Sequence, residues 1–241
     1  MFAAAAGILW LAILNFRADN EKNNGEVLAG DRRHIIGEEK SSLAIVEFAD
    51  FECAPCRSQH SRMIALLKAF PGKIHVVFRN FPLTSIHEHA MNCAIASEVS
   101  TSYGKYSQVH DAIMTGSTDD KSVLKVLSEV GITPAMYQSS LNSAREAVVN
   151  DIKAARAAGI SSTPTMILCK GARVIARASS FDDLKPFVEA NLVEQVRDEL
   201  PEPGVKEKKK LSFWRGGECK TKDLESNVCF DSLSFDRLNW K

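Results

Sequence analysis

Two cysteines with two residues between them, Cys53 and Cys56, stand between an apolar run at residues 43–48 and a segment of helical spacing that reaches about residue 70. A thiol at the first turn of a helix meets unpaired N–H groups and the positive end of the macrodipole, both of which favour the thiolate. Cys53 takes that place. Cys56, one turn further on, is close enough to attack a disulfide formed at Cys53. The pair therefore has the residue types and spacing for thiol–disulfide exchange, one sulfur capturing and the other displacing.

Exchange also needs a proton acceptor for the second thiol and a surface for the incoming chain. Glu47 lies six residues before Cys53, inside the apolar run. Burial there would raise its carboxyl toward neutral pH and let it take the Cys56 proton; the competing placement is a strand-edge glutamate in water. Asp50, nearer the turn, reads as a cap or a surface residue. Thr163-Pro164 precedes a second apolar run, and a proline at the start of a strand gives up a ladder donor. With a cis Thr163–Pro164 bond, the Thr163 backbone would turn outward and pair with an extended chain by strand addition. Ala54 and Pro55, between the two sulfurs, complete the expected contact surface.

His60, four residues after Cys56, shares its helix face. With Cys53 and Cys56 it could supply three ligands to zinc or copper. We read it instead as a half-buried helix residue, and His87 as a residue at the start of a later helix. No metal and no cofactor are expected beyond the Cys53–Cys56 disulfide itself.

The elements that must position these groups follow from periodicity. Residues 43–48 form a nearly continuous apolar strand, as in sheets covered on both faces. Ile64, Leu66, Leu67 and Phe70 mark the apolar stripe of the next helix, Pro71-Gly72 stops it, and residues 74–78 make a second strand. The connection implies a parallel crossover. Five helical segments follow, at residues 87–100, 106–114, 119–130, from the Thr133-Pro134 cap onward, and 143–158. They interrupt an α/β alternation that resumes with strands at 165–169 and 173–178, joined at Gly171, and a helix from 181 to about 196. A short edge segment is expected at 34–38.

The chain has 241 residues, with thirty Lys plus Arg balanced by thirty Asp plus Glu. That balance offers no attraction to nucleic acid. Six cysteines are too few to build a disulfide scaffold. They allow the reactive pair and, in an oxidising compartment, a structural bridge between Cys219 and Cys229 in the tail. Cys93 and Cys169 fall in apolar settings and read as buried small hydrophobes. Residues 2–16 are almost wholly apolar but shorter than a comfortable membrane span, without a basic leader or a clear cleavage site. A signal anchor, an unusual cleaved signal and the last piece of a larger membrane segment all fit.

Residues 46–53 (VEFADFEC), 79–83 (RNFPL), His87 with Ala90, and 159–165 (GISSTPT) resemble the DsbA-like thiol:disulfide oxidoreductases of the thioredoxin superfamily, in the branch with a helical insertion. The resemblance runs from about residue 34 to 196. It implies an α/β thioredoxin fold with an inserted all-helical subdomain, flanked here by the N-terminal apolar anchor and a C-terminal tail. It also implies Cys53 as nucleophile, Cys56 as resolving thiol, Glu47 as buried acid and Pro164 as cis-proline. Two positions depart from the family. Its members usually place proline straight after the first cysteine, and strong oxidants carry histidine before the second; here the dipeptide is Ala54-Pro55, as next to the second cysteine of thioredoxin. Loss of the histidine donor should raise the Cys53 pKa and make the dithiol less oxidising, each 30 mV being about 1.4 kcal/mol. Threonine before the cis-proline resembles isomerase-type members, so the direction of electron flow stays open.

The expected organisation is an apolar membrane anchor or signal-like segment at 1–17, a tether at 18–40, the thioredoxin-like domain at 41–200 with its insertion at about 85–158, and a linker with a cysteine-containing tail at 201–241. The expected function is disulfide exchange with extracytoplasmic, cysteine-containing protein substrates in the periplasm or cell envelope. A membrane redox partner, such as a vitamin K epoxide reductase homologue, would reset the pair. The alternative is a membrane-tethered module that binds metal or polypeptide without turnover.

Overall fold

β2 (Leu43–Ala49) lies between β3 (Ile74–Asn80), which it pairs in parallel, and β4 (Thr165–Lys170), which it pairs antiparallel. All seven of its residues are buried, which explains its unbroken apolar run. The short β1 (Ile35–Gly37) adds antiparallel to β3, and β5 (Arg173–Ala178) to β4, so the sheet order is β1-β3-β2-β4-β5. The computed structural model describes residues 33–198, and those through Gln195 form one unit. The proposed anchor, most of the tether, and the tail with Cys219 and Cys229 lie outside the described residues. Among the described residues, no helix is long and apolar enough to cross a membrane.

Alternation along β2 assigns its side chains to two clusters. Ala44, Val46 and Phe48 join Val77, Ile167 and Cys169 against Ala155 and Ile160. Ala49, on the opposite face, joins Phe78, Cys53 and Cys56 in a second cluster. Glu47 pairs in register with Phe78 and Met166 and shares the face of Ala49. It is thus a carboxyl placed where the pattern calls for a hydrophobe, on the face that carries the sulfurs.

α1 (Ala54–Ala69) connects β2 to β3, with Pro55 at its first turn. The insertion comprises α2 (Ala90–Thr101), α3 (Tyr106–Thr115), α4 (Asp120–Glu129) and α5 (Pro134–Ala157). Asp119 caps α4 by accepting from the Ser122 N–H, and Thr133 caps α5 by accepting from the Met136 N–H. α6 (Phe181–Asp198) meets α1 where the Gln59 side chain accepts the Phe181 N–H. Gly171, at a φ of 58°, makes the tight β4–β5 hairpin.

Two boundaries differ from expectation. The helix predicted from residue 87 begins at Ala90, because the His87 side chain is held by Asp50 and the His89 N–H by the Glu52 carboxylate. The two helices predicted after residue 133 are one helix of 24 residues. Its serines do not break it: Ser139 and Ser143 donate to the carbonyls three residues back, and Tyr103 hydrogen-bonds Ser140.

Candidate active site at the dithiol

Cys53 is the N-cap of α1, with extended backbone (φ −67°, ψ 112°). Its N–H closes the turn onto the Asp50 carbonyl at 3.1 Å, and its carbonyl receives the Arg57 N–H at 3.1 Å. Arg57 also locks this turn to the insertion, donating from its guanidinium to the Phe51, Ile113 and Gly116 carbonyls. Ala54 and Pro55 are exposed beside a nearly buried Cys53 and a fully buried Cys56. Both sulfurs are free thiols.

The Thr163–Pro164 peptide is cis, and the Cys53 thiol donates to the Thr163 carbonyl at 3.5 Å. The strand at 165–170 thus brings its first turn to a sulfur 110 residues away. The Thr163 hydroxyl is buried and without a hydrogen-bond partner.

The electrostatics separate the sulfurs. A hydrogen bond from Cys56, helped by the nearby Thr163 side chain and the Cys56 N–H, draws Cys53 down from 9.0 to about 6, against burial and the charge of Asp50. The same Cys56–Cys53 bond, together with burial and the charge of Glu47, pushes Cys56 far above the ordinary thiol range. Glu47 is raised from 4.5 to about 8, first by burial and second by the charge of Cys53. One of its oxygens has no hydrogen-bond partner. The site therefore holds an acidic capturing thiol, a strongly basic resolving thiol and a carboxyl that is mostly protonated at neutral pH.

Asp50 corrects the sequence reading. It is neither exposed nor a helix cap: its side chain is fully buried, because three donors converge on it. Oδ1 accepts the Glu52 N–H at 2.8 Å; Oδ2 accepts the Leu83 N–H at 2.7 Å and meets His87 Nδ1 at 2.8 Å. This contact raises the His87 pKa. Glu52 reaches the other way, to the His89 N–H and the Thr118 hydroxyl. Sequence spacing does not mark Asp50, Glu52, Arg57 and His87 as site residues, since the partners that fix them in the site lie 33 to 66 positions away, apart from the local Glu52–Asp50 and Arg57–Phe51 contacts. His60 is buried more deeply than expected, and it meets Asp111 and the His110 ring rather than completing a ligand set with the cysteines. Cys93 and Cys169 are buried free thiols in separate clusters.

Known proteins resemble the chain in parts and in fold. It is similar to the Na(+)/H(+) antiporter NhaA 3 of Salinispora tropica, 27% identical over 142 residues that cover 57% of this chain and 22% of the antiporter. It is 29% identical over 140 residues to the Na(+)/H(+) antiporter NhaA of Nitrosospira multiformis, covering 56% and 22%. The chain thus spans about a fifth of the length of these curated relatives. Among solved structures, it resembles the thiol-disulfide exchange protein alpha-DsbA2 of Wolbachia pipientis (TM-score 0.59, 22% identity, 72% of this chain and 97% of that one). It also resembles oxidised BdbD of Bacillus subtilis (TM-score 0.55, 18% identity, 66% and 92%). At these identities the likeness is one of fold. A family model described as thioredoxin matches residues 30–190, and with that match over most of its length the chain belongs to the DsbA-like thioredoxin family.

Proposed function

We propose that the protein is a thiol:disulfide oxidoreductase that exchanges disulfides with extracytoplasmic protein substrates through Cys53 and Cys56. The observation that carries this reading is the placement of the Cys53 sulfur 3.5 Å from the Thr163 carbonyl, with its pKa drawn down to about 6. A thiolate there is both populated at neutral pH and adjacent to backbone that can pair with an extended chain. Thr163, Pro164 and the exposed Ala54 and Pro55 supply the docking surface.

In the reducing direction, the Cys53 thiolate attacks one sulfur of a substrate disulfide. The S–S bond breaks, a mixed disulfide forms and one substrate thiolate leaves. Cys53 loses its charge in that step, which removes the second cause of the raised Glu47 pKa. Glu47 then ionises more readily, its own proton passing to the departing substrate thiolate or to water, and as a carboxylate it takes the proton of Cys56. The Cys56 sulfur attacks Cys53, and the second substrate thiolate leaves, having gained the electron pair of the bond it shared with Cys53. The substrate gains two electrons and the protein holds the Cys53–Cys56 disulfide; oxidation of a substrate dithiol is the same sequence reversed.

A Cys53 pKa of about 6 lies between the values of thioredoxin-fold thiols in reductants and in strong oxidants, about 7 and 3.5. We therefore expect a reduction potential between roughly −270 and −120 mV. A structural neighbour of Salmonella enterica is described as a periplasmic thioredoxin-like protein, and together with the apolar residues 2–16 this supports an envelope location with membrane attachment. A membrane partner of the vitamin K epoxide reductase kind would then regenerate the pair. Ion exchange is not proposed, since the antiporters' matched stretch is only 22% of their length.

The test is turnover in insulin reduction and in oxidation of a dithiol peptide. Cys53→Ser should abolish both, and Cys56→Ser should accumulate mixed disulfides that identify the substrates. Turnover that survives Cys53→Ser overturns the reading, and retained polypeptide binding with no turnover in the wild type would support a binding module instead.

A further inference from the structure

One turn beyond Cys56, His60 projects from α1 toward α3, where His110 and Asp111 are consecutive. One ligand atom from each of the three lies within 4.8 Å of the other two, the only such grouping among the described residues. Asp111 Oδ1 is 3.2 Å from His60 Nε2 and 3.4 Å from His110 Nδ1. We propose that His60, His110 and Asp111 form a divalent-metal site of the zinc class, separate from the dithiol and open to solvent on the Asp111 side.

The distances carry the proposal. Zinc bonds to nitrogen and oxygen ligands are about 2.0–2.2 Å, and tetrahedral geometry then separates neighbouring ligand atoms by about 3.4 Å. As hydrogen bonds, the same contacts lie at or past the long end of the N–H···O range. The donor set of two imidazoles and one carboxylate suits a borderline cation, and three protein ligands leave a fourth position for water.

The surroundings fix the ligands in advance. The His110 ring is clasped by Phe51, Phe78 and Tyr106 at centroid distances of 5.5, 4.6 and 5.3 Å, and by His60 edge-on at 5.2 Å. His60 and His110 are buried, while the Asp111 side chain is half-exposed at 52%. The other nitrogen of His110, Nε2, is buried without a hydrogen-bond partner. A proton there leaves the Nδ1 lone pair facing the Asp111 carboxylate, an arrangement that a cation between them relieves. The bound ion would pin the helix that bears the sulfurs to the insertion without consuming either sulfur.

The test uses the full chain with Cys53→Ser and Cys56→Ser, its remaining accessible thiols alkylated, titrated with zinc by calorimetry and with cobalt(II) by visible absorption. One equivalent should bind, with tetrahedral cobalt bands, and Asp111→Asn or His60→Gln should each weaken binding at least tenfold. No binding at one equivalent, or binding undiminished in both variants, overturns the site. Should His60→Gln fail to fold, Asp111→Asn decides alone, since its side chain is half-exposed and nearly isosteric.

Discussion

Asp50 and His87, 37 residues apart, meet through a 2.8 Å contact between a fully buried carboxylate oxygen and a ring nitrogen, and that contact ties the turn before Cys53 to the loop after β3. The same carboxylate accepts the Leu83 and Glu52 N–H groups. Asp50→Ala leaves two backbone donors without their acceptor. We expect a loss of about 2–4 kcal/mol of stability, read by denaturant unfolding, with slower turnover because the Cys53 turn is no longer anchored.

His87 gives that link a pH dependence. Its folded pKa is raised above 6.5, so the ionic part of its contribution is complete below 6.5 and is lost as pH rises through the raised value. His87 is half-buried at the surface, its side chain 22% exposed, and solvent screening limits the effect to under about 1 kcal/mol. The stability difference between wild type and His87→Gln should therefore be larger at pH 6 than at pH 9; equal differences would remove the ion pair from the account.

Alkylation should distinguish the thiols. Cys53 falls to about 6, while burial raises Cys93 to about 12 and Cys169 to about 11. Of the four cysteines among the described residues, peptide mapping of the folded, reduced protein should find Cys53 modified first, with a rate midpoint near pH 6, and Cys56, Cys93 and Cys169 untouched. The depressed Cys53 value also has a stability consequence. Its contribution to the reduced fold is complete above the unfolded pKa of 9.0 and is lost as pH falls through about 6. The oxidised protein, which lacks the thiolate, should not show that loss.

Glu47→Gln should slow the resolving step and stabilise the fold at once. The folded pKa of Glu47 is raised to about 8 from 4.5. Its favourable contribution is therefore complete below 4.5 and is lost as pH rises through 8, the carboxyl becoming a net burden across that window. The variant should gain up to roughly 3 kcal/mol at pH 7 and nothing at pH 4. General-base removal should lower the rate of mixed-disulfide resolution by about 100-fold or more. A variant no more stable at pH 7 than at pH 4 would place Glu47 in contact with water.

What could be read from the sequence was what is local. The cysteine spacing, the strand-to-helix handover, the acid within an apolar strand and the Thr-Pro before another strand each occupy a few consecutive positions, and the structure gathers all of them at one end of the sheet. The Asp50 environment could not be read, because two of its three donors, Leu83 and His87, arrive from beyond β3. Nor could the Arg57 clamp, whose acceptors on α3 and beyond lie 56 and 59 residues downstream. The unbroken α5 escaped for another reason: a serine-rich stretch lowers local helix propensity, and tertiary packing overrides it.

That long helix has a mechanical consequence. At about 1.5 Å per residue α5 is some 36 Å long. It is rooted in the insertion at one end, and near the other its Asp151 grips the Asn80 N–H at 2.9 Å and Arg79 at 2.8 Å on β3. A hinged jaw would have to tear that grip loose or bend the rod. The helical cap is therefore a fixed shoulder beside the sulfurs; under the proposed exchange activity a client polypeptide would have to supply the suppleness itself, and slack, incompletely folded chains would be the ones its contour admits.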